Sequence, residues 1–296
     1  KKKRYDVVLL ESPVSLHAAS KISRIYPSAN IVYLNSNWML WPEIAHPFYE
    51  KKNSISNYLL GVERKTNKNR LLNNLRYYVD SVISVSKFCD KKLKELIEIE
   101  SYIAEPHIEP EKYRKLVEIS PNLKGEKLIF IGENRNHKGL ERIIDNWSSI
   151  KSDFPKAEIS IIGEGHDKVD KNDINVKGYI SNEALLDEIS KSSLYVHPAR
   201  FENFGISVLE SMRGGVPALV TENTGVKDVV SKVDDSLVVE NNDESIIKGI
   251  KNYLNKDIDS RDKYSEIGRS LTDQYTLDRS KKQVDEALEL IMKSSL

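Results

Sequence analysis

The chain has 296 residues, 39% hydrophobic and 30% charged, which suits a well-solvated globular protein with length enough for two domains. Its 45 Lys/Arg balance 45 Asp/Glu, so no global field argues for nucleic acid, and no apolar run approaches the ~18 residues of a bilayer span. The single cysteine, Cys89, excludes an intrachain disulfide and fits a reducing, cytoplasmic setting.

The chain opens with KKKR and does not start with Met. The apolar core of YDVVLLES is too short for a signal peptide, so the expectation is a sequence that begins inside a longer product. YDVVLLE (5–11) reads as a strand, PVSLHAASKISRIY (13–26) as a helix and NIVYLNS (30–36) as a second strand. Next comes a long polar region. DSVISVS (80–86) is a third strand, and KFCDKKLKELIEI (87–99) is a helix with Phe88, Leu93, Leu96 and Ile97 on one face. Pro106, Pro110, Pro121 and Gly125 cluster in a linker around 104–125. Three strands before it are too few for a full doubly wound domain, so the first domain is abbreviated or lacks its opening strands.

After the linker the alternation is regular. LIFIG (128–132) ends on Gly132 and leads into a helix over KGLERIIDNWSSI (138–150). EISIIG (158–163) and INVKGYI (174–180) are strands, and NEALLDEISKS (182–192) is a helix. LYVHP (194–198) is a strand, FGISVLESMR (204–213) a helix, PALVT (217–221) a strand and VKDVVS a short helix. SKKQVDEALELIMKSSL closes the chain as a helix with Val284, Leu288 and Ile291 on one face. Short strands alternating with helices mean βαβ units on a parallel sheet, an α/β fold.

In such sheets ligands bind beyond the carboxyl ends of the strands. Four exits in the second half, ENRNHKG, EGHDK, ARFENFG and TENTG, combine glycine with charged or amide side chains and are expected to line one crevice. Glu202 falls in the third of these, just before a helix whose first N–H groups suit a phosphate. Gly205 removes the Cβ that would hold a ligand off the backbone. Glu210 lies four residues after Ile206, one turn further along the same face, where a carboxylate suits neutral hydroxyls such as those of a ribose. Lys138, at the neighbouring exit, suits phosphates. The pattern describes a nucleotide-linked sugar, with phosphate on the helix, ribose at Glu210 and sugar hydroxyls at Glu202.

The residues that carry this pattern also carry a resemblance. ENFGISVLE (202–210) with SMRGGVPALVTENTGVKDVV resembles the E-x7-E signature of retaining GT-B glycosyltransferases of family 4, the "glycosyl transferases group 1" domain. IGENRNHKGLERII, IIGEGHDK and VKGYISNEALLDEISKSSLYVHPARFENFG are similar to that family's preceding segments, and the likeness is close over about 126–240. It is weaker over 80–118, where VISVSKFCDKKL and EPHIEPEKY look like the late N-domain strand and the interdomain linker.

The resemblance implies a GT-B fold, two Rossmann-like domains facing a cleft. Residues 1–120 would form an abbreviated or truncated N-terminal acceptor-side domain, 121–275 the nucleotide-sugar domain, and 276–296 a terminal helix crossing back to the first. It implies a retaining transferase that moves a sugar from a nucleoside-diphosphate sugar to a hydroxyl acceptor, glycan, lipid-linked or protein-linked, with no cofactor and no bound metal. Glu202 and Lys138 would be catalytic. The donor would be held by Gly132, Arg135, Lys138, Tyr179, Ile180, Glu202, Asn203, Phe204, Gly205, Ile206 and Glu210, with the base near Tyr179–Ile180. The sequence departs from the family at Glu133, where an arginine is usual, and at Asn203, where a glycine is usual; Asn203 is therefore a candidate for donor selectivity. No Gly-rich loop precedes YDVVLLE. Asn35, Asn37 and Trp38 stand where many relatives have a histidine; the nearest histidines, His17 and His46, are not in the catalytic set.

Other features point elsewhere. Residues 1–124 carry 21 Lys/Arg against 14 Asp/Glu and the remainder 24 against 31. KKKR and RKTNKNRLLNNLR (64–76) suit either contact with anionic lipid headgroups, a peripheral membrane association, or an exposed basic face. DID (257–259) is expected to be a solvated loop or helix cap, and HDKVDKND (166–173) lacks metal-ligand spacing. Scattered aromatics argue against nucleic acid. The alternatives are a non-catalytic nucleotide-sugar-binding protein or partner subunit, and a GT-B-fold sugar-nucleotide epimerase, which the signature disfavours.

Overall fold

The computed structural model describes residues 4–36, 40–41, 55–166 and 173–294. The first three residues of KKKR, Asn37, Trp38, His46 and most of HDKVDKND lie outside them. The chain divides into two compact units, residues 1–106 with 278–296, and residues 107–277.

Among the described residues, the first unit holds four parallel strands in the order β1-β2-β3-β4: β1 (Val7–Leu10), β2 (Asn30–Asn35), β3 (Ser81–Ser84) and β4 (Glu100–Ile103). Val8 lies opposite Ile31, Tyr33 opposite Val82 and Ile83 opposite Tyr102. The helix expected over 13–26 is two pieces, α1 (Pro13–Leu16) and α2 (Ala19–Ile25). Ser12 caps α1, and the chain then tightens to i→i−3 bonds at His17 and Ala18. Helix α3 (Ile55–Tyr78) occupies much of the polar region, burying Leu71 and Leu75, while Asn74 donates to the Leu16 carbonyl. Helix α4 (Lys87–Lys94) ends before the expected Ile99; a turn then carries Ile97 into the core and leads to β4. This fourth strand was hidden in the sequence because ESYI is polar at its start and only half-buried. The C-terminal helix, Leu277–Ser294, sets Ala287 and Ile291 against Val32, Ile83 and Ala104. Arg279 pairs with Glu105 at 2.7 Å beside this cluster.

In the second unit six parallel strands run in the order β10-β9-β8-β5-β6-β7 among the described residues. They are β5 (Lys127–Ile131), β6 (Glu158–Ile162), β7 (Ile174–Gly178), β8 (Leu194–His197), β9 (Ala218–Thr221) and β10 (Val238–Val239). The helices are α5 (Pro110–Leu116), α6 (Glu141–Asp145), α7 (Trp147–Asp153), α8 (Asn182–Ser190), α9 (Ile206–Arg213), α10 (Lys227–Val230), α11 (Asp243–Leu254) and α12 (Ile258–Thr272). The helix expected over 138–150 is interrupted at Asn146, which leaves helical geometry at φ −101° and ψ 11°. Asp257 caps α12 by accepting from the Ser260 N–H at 2.7 Å, the cap expected of DID.

The stretch around 104–125 is more ordered than a linker. Glu109 caps α5, and two guanidiniums of α12 hold the segment between α5 and β5. Arg269 donates to the carbonyls of Ile119, Gly214 and Arg213, and Arg261 to those of Leu123, Gly125 and Leu254. Among the described residues no helix is long and apolar enough to cross a membrane.

Candidate active site

The strand order of the second unit reverses between β5 and β8, which are hydrogen-bonded neighbours. The connections leaving these two strands run to opposite sides, and their exits lie at the carboxyl edge of the sheet, where folds of this kind bind ligands. The four exits singled out in the sequence leave β6, β5, β8 and β9, which are adjacent in that order.

Two backbone devices bring the β5 and β8 exits together. After β5, Asn136–Lys138 form a single tight turn that ends at Gly139 with φ 69°. A Cβ on Gly139 would stand 2.2 Å from the Pro198 carbonyl oxygen, so only glycine allows the approach. The Arg200 N–H donates to the His137 carbonyl at 2.8 Å and locks the same junction. Beyond β8, Glu202 forms an isolated parallel bridge with Thr224: its N–H donates to Asn223 at 2.9 Å and its carbonyl accepts from Gly225 at 2.9 Å. Glu202 therefore stands on sheet-like backbone, held on both sides of its Cα.

The carboxylate lies where the two exits meet. The Lys138 ammonium donates to Glu202 Oε2, and His197 Nε2 is 3.2 Å from the same oxygen. Oε1 has no partner among the described residues, and the side chain keeps 15% of its surface exposed. Burial acts to raise the carboxyl pKa, but the Lys138 charge and the His197 contact outweigh it and hold Glu202 far below the usual carboxylate range. Burial pushes the His197 imidazole down; Lys138 adds to this, against the pull of Glu202. The outcome is an ionised acid, which can only accept hydrogen bonds, beside a neutral imidazole.

Helix α9 starts three residues beyond Asn203. Gly205, its N-cap, has φ 107°, and its Cβ would point at Val208, Val226 and Thr224. The glycine is required by backbone conformation, and the space it leaves belongs to the protein's own packing. The N–H groups of Phe204, Gly205 and Ile206 donate to no partner among the described residues. The Phe204 ring is buried against Tyr275 and Asn203 is buried, while Ile206 is exposed. Glu210 is buried one turn along, and its Oε1 accepts from Lys112 Nζ of α5 at 3.0 Å.

The other expected donor residues fall further out. Gly132 donates to the Ile162 carbonyl at 2.8 Å, and its own carbonyl meets His166 Nε2 at 2.8 Å. Arg135 is exposed and paired with Glu133 at 2.5 Å. Tyr179 lies just past the edge strand β7 with 84% of its surface exposed, and Ile180 beside it is half-buried. The sequence did not single out His197, Tyr195, Ser207 or Lys112. The first three share the signal LYVHP and the first turn of α9, where polar groups fall inside apolar elements; Lys112 reaches Glu210 across 98 residues, and no local pattern shows it.

The parallel sheet with its reversal, and a lysine–glutamate pair at that reversal, outline a doubly wound α/β domain with a candidate ligand site. The family described as Glycosyl transferases group 1 matches residues 114–271, and the chain belongs to that family. The chain is 25% identical over 257 residues to the poly(glycerol-phosphate) alpha-glucosyltransferase of Bacillus subtilis, covering 79% of this chain and 38% of that protein. It thus spans well under half the length of this curated relative. Among solved structures, sucrose-phosphate synthase from Thermosynechococcus elongatus superposes with a TM-score of 0.75 at 13% identity, over 98% of this chain and 74% of that one. Anabaena HepE, solved in complex with UDP-glucose, gives 0.70 at 15% identity, over 96% and 79%. The fold is that of the GT-B glycosyltransferases.

Proposed function

We propose that the chain transfers a sugar, with retention of anomeric configuration, from a nucleoside-diphosphate sugar to a hydroxyl acceptor, with no bound divalent metal. The observation that carries this reading is the Lys138–Glu202 pair at the strand-order reversal, beside the unpartnered N–H groups that open α9. In this reading the diphosphate sits at those N–H groups and draws the Lys138 charge, Glu202 Oε1 accepts from the donor sugar, and Glu210 accepts from the ribose. Tyr179 and Ile180 border the base. Negative charge grows on the diphosphate as the glycosidic bond to it breaks, and Lys138 and the helix N-terminus stabilise that charge. The acceptor hydroxyl attacks from the face that the leaving group vacates. The acceptor is a glycan or lipid-linked glycan handled in the cytoplasm, where the basic first unit touches an anionic membrane surface.

UDP-glucose is the first donor to test, since one relative is named a glucosyltransferase and one structural neighbour holds UDP-glucose. Glu202→Ala and Lys138→Ala should each lower transfer at least ~10²-fold, the scale of one lost electrostatic group. Unchanged rates in both would overturn the site assignment. A second reading, donor binding without transfer, is favoured by the Glu133–Arg135 pair, which ties up an arginine expected to meet the diphosphate. It predicts a protein that binds donor yet neither transfers nor hydrolyses it.

A further inference from the structure

We infer that His197 is a positioning residue for Glu202, holding one carboxylate oxygen so that the other stays turned to the donor sugar when Lys138 moves to the diphosphate. The inference rests on the reading of Glu202 as the sugar clamp.

The ring is fully buried at the end of β8, and polar groups are placed at both of its nitrogens. Tyr195, from the same strand, stacks on it with centroids 5.9 Å apart and brings its hydroxyl 3.1 Å from Nδ1. Ser207, in the first turn of α9, lies 2.8 Å from that hydroxyl. Glu202, from the loop after β8, and Lys138, from the β5 exit, are the charged groups that face the ring. The field of Glu210 reaches the Tyr195 hydroxyl at the far end. Ser207, Tyr195, His197 and Glu202 therefore form a relay, fully buried at Tyr195 and His197, from the start of α9 to the sugar clamp.

The relay fixes the tautomer. Glu202 Oε2, an ionised oxygen that can only accept, lies 3.2 Å from Nε2 and draws the ring hydrogen there, which leaves Nδ1 to accept from the Tyr195 hydroxyl, itself also within 3.4 Å of the Ile131 carbonyl. That N–H is buried, 3.2 Å from Glu202 Oε2, and makes no in-line hydrogen bond. A buried donor left unsatisfied is costly, and the carboxylate is the acceptor within reach. Glu202 Oε2 is now occupied by Lys138 as well. Lys138 has a second claimant in the donor complex, because a diphosphate carries more charge than one carboxylate. When it turns to the phosphates, His197 Nε2–H is the partner that remains for Oε2. Without it the buried carboxylate would swing, and Oε1 would lose its aim.

The test uses two substitutions and two readouts. His197→Gln keeps an N–H donor near the Nε2 position, whereas His197→Leu keeps bulk and removes the donor. With UDP-glucose as donor, kcat/KM should fall about 10- to 100-fold in His197→Leu, the cost usual for an orienting partner. It should stay within a few-fold of wild type in His197→Gln. Equal loss in both, or none in the leucine variant, overturns the proposal. Nitrogen-15 spectra of the imidazole give a readout that needs no donor. His197 should carry its hydrogen on Nε2 and titrate below its ordinary value of 6.5, lower still in Glu202→Gln and higher in Lys138→Met. A ring that titrates normally and ignores both substitutions overturns the positioning role. A coupled ring in a protein that does not turn over UDP-glucose supports it and counts against that donor alone.

Discussion

Glu202 and His197 are a coupled pair whose native protonation states both oppose acid. The Glu202 carboxyl is depressed, so its contribution to stability is present above its ordinary value of 4.5 and is lost as pH falls through the lower native value. The His197 imidazole is also depressed. Below 6.5 the unfolded chain takes up a proton that the native ring refuses, so stability drains as pH falls from 6.5 towards the native pKa. The stability measured by urea unfolding should therefore rise as pH is raised towards 6.5, by up to ~1.4 kcal/mol per pH unit from this ring. His197→Leu should flatten that rise; an unchanged slope would show that His197 titrates normally. At this scale Glu202, Lys138 and Glu210 were legible, since strand exits and helix starts concentrate ligand chemistry. His197 was less so. A histidine inside an apolar strand looks like packing until the fold brings Glu202 and Tyr195 to its two nitrogens.

Elements carry the precision of the site. Gly139 lets the β5 exit meet the β8 exit, and its φ of 69° with a Cβ clash at 2.2 Å leaves no room for alanine. Gly139→Ala should cost at least ~2 kcal/mol of stability, from a left-handed residue and an overpacked contact together. It should also weaken donor binding by shifting Lys138; a shifted urea midpoint with unaltered binding would separate fold from site. Arg269 gives a second test. Its guanidinium satisfies carbonyls at the ends of α5 and α9, and Arg269→Met should cost ~1–3 kcal/mol by leaving them unpaired. Thermal unfolding within experimental error of wild type would contradict that accounting. Strands β5 to β8 were readable because each closes on glycine or proline, and β9 because it opens after one; the two-residue β10, Val238–Val239, was not. Helix α3, strand β4 and helix α5 were not: their sequences are polar, and tertiary packing at Leu71, Leu75 and Leu116 decides them.

At the scale of the whole molecule, the alternation of short strands and helices announced a parallel α/β protein, but it could not give the strand orders. One sheet runs monotonically and the other reverses at β5–β8, and that reversal is what gives the Lys138–Glu202 pair its meaning. The C-terminal helix returns to the first unit after the second is complete, with Ile291 only 1% exposed. Ile291→Ala should cost ~2–5 kcal/mol and reduce hydrogen-exchange protection in β2 and β3, whose Val32 and Ile83 share its cluster. Full protection there would mean that the helix contributes little to the unit. The central claim, a nucleotide-sugar site at Lys138 and Glu202, is tested most directly by thermal shift with UDP-, GDP- and ADP-sugars. A donor at about 100 times its dissociation constant stabilises the fold by about 2.7 kcal/mol. The account predicts that at least one of these sugars raises Tm in the wild type and fails to do so in Lys138→Ala. A shift equal in both proteins, or none with any sugar, would contradict it.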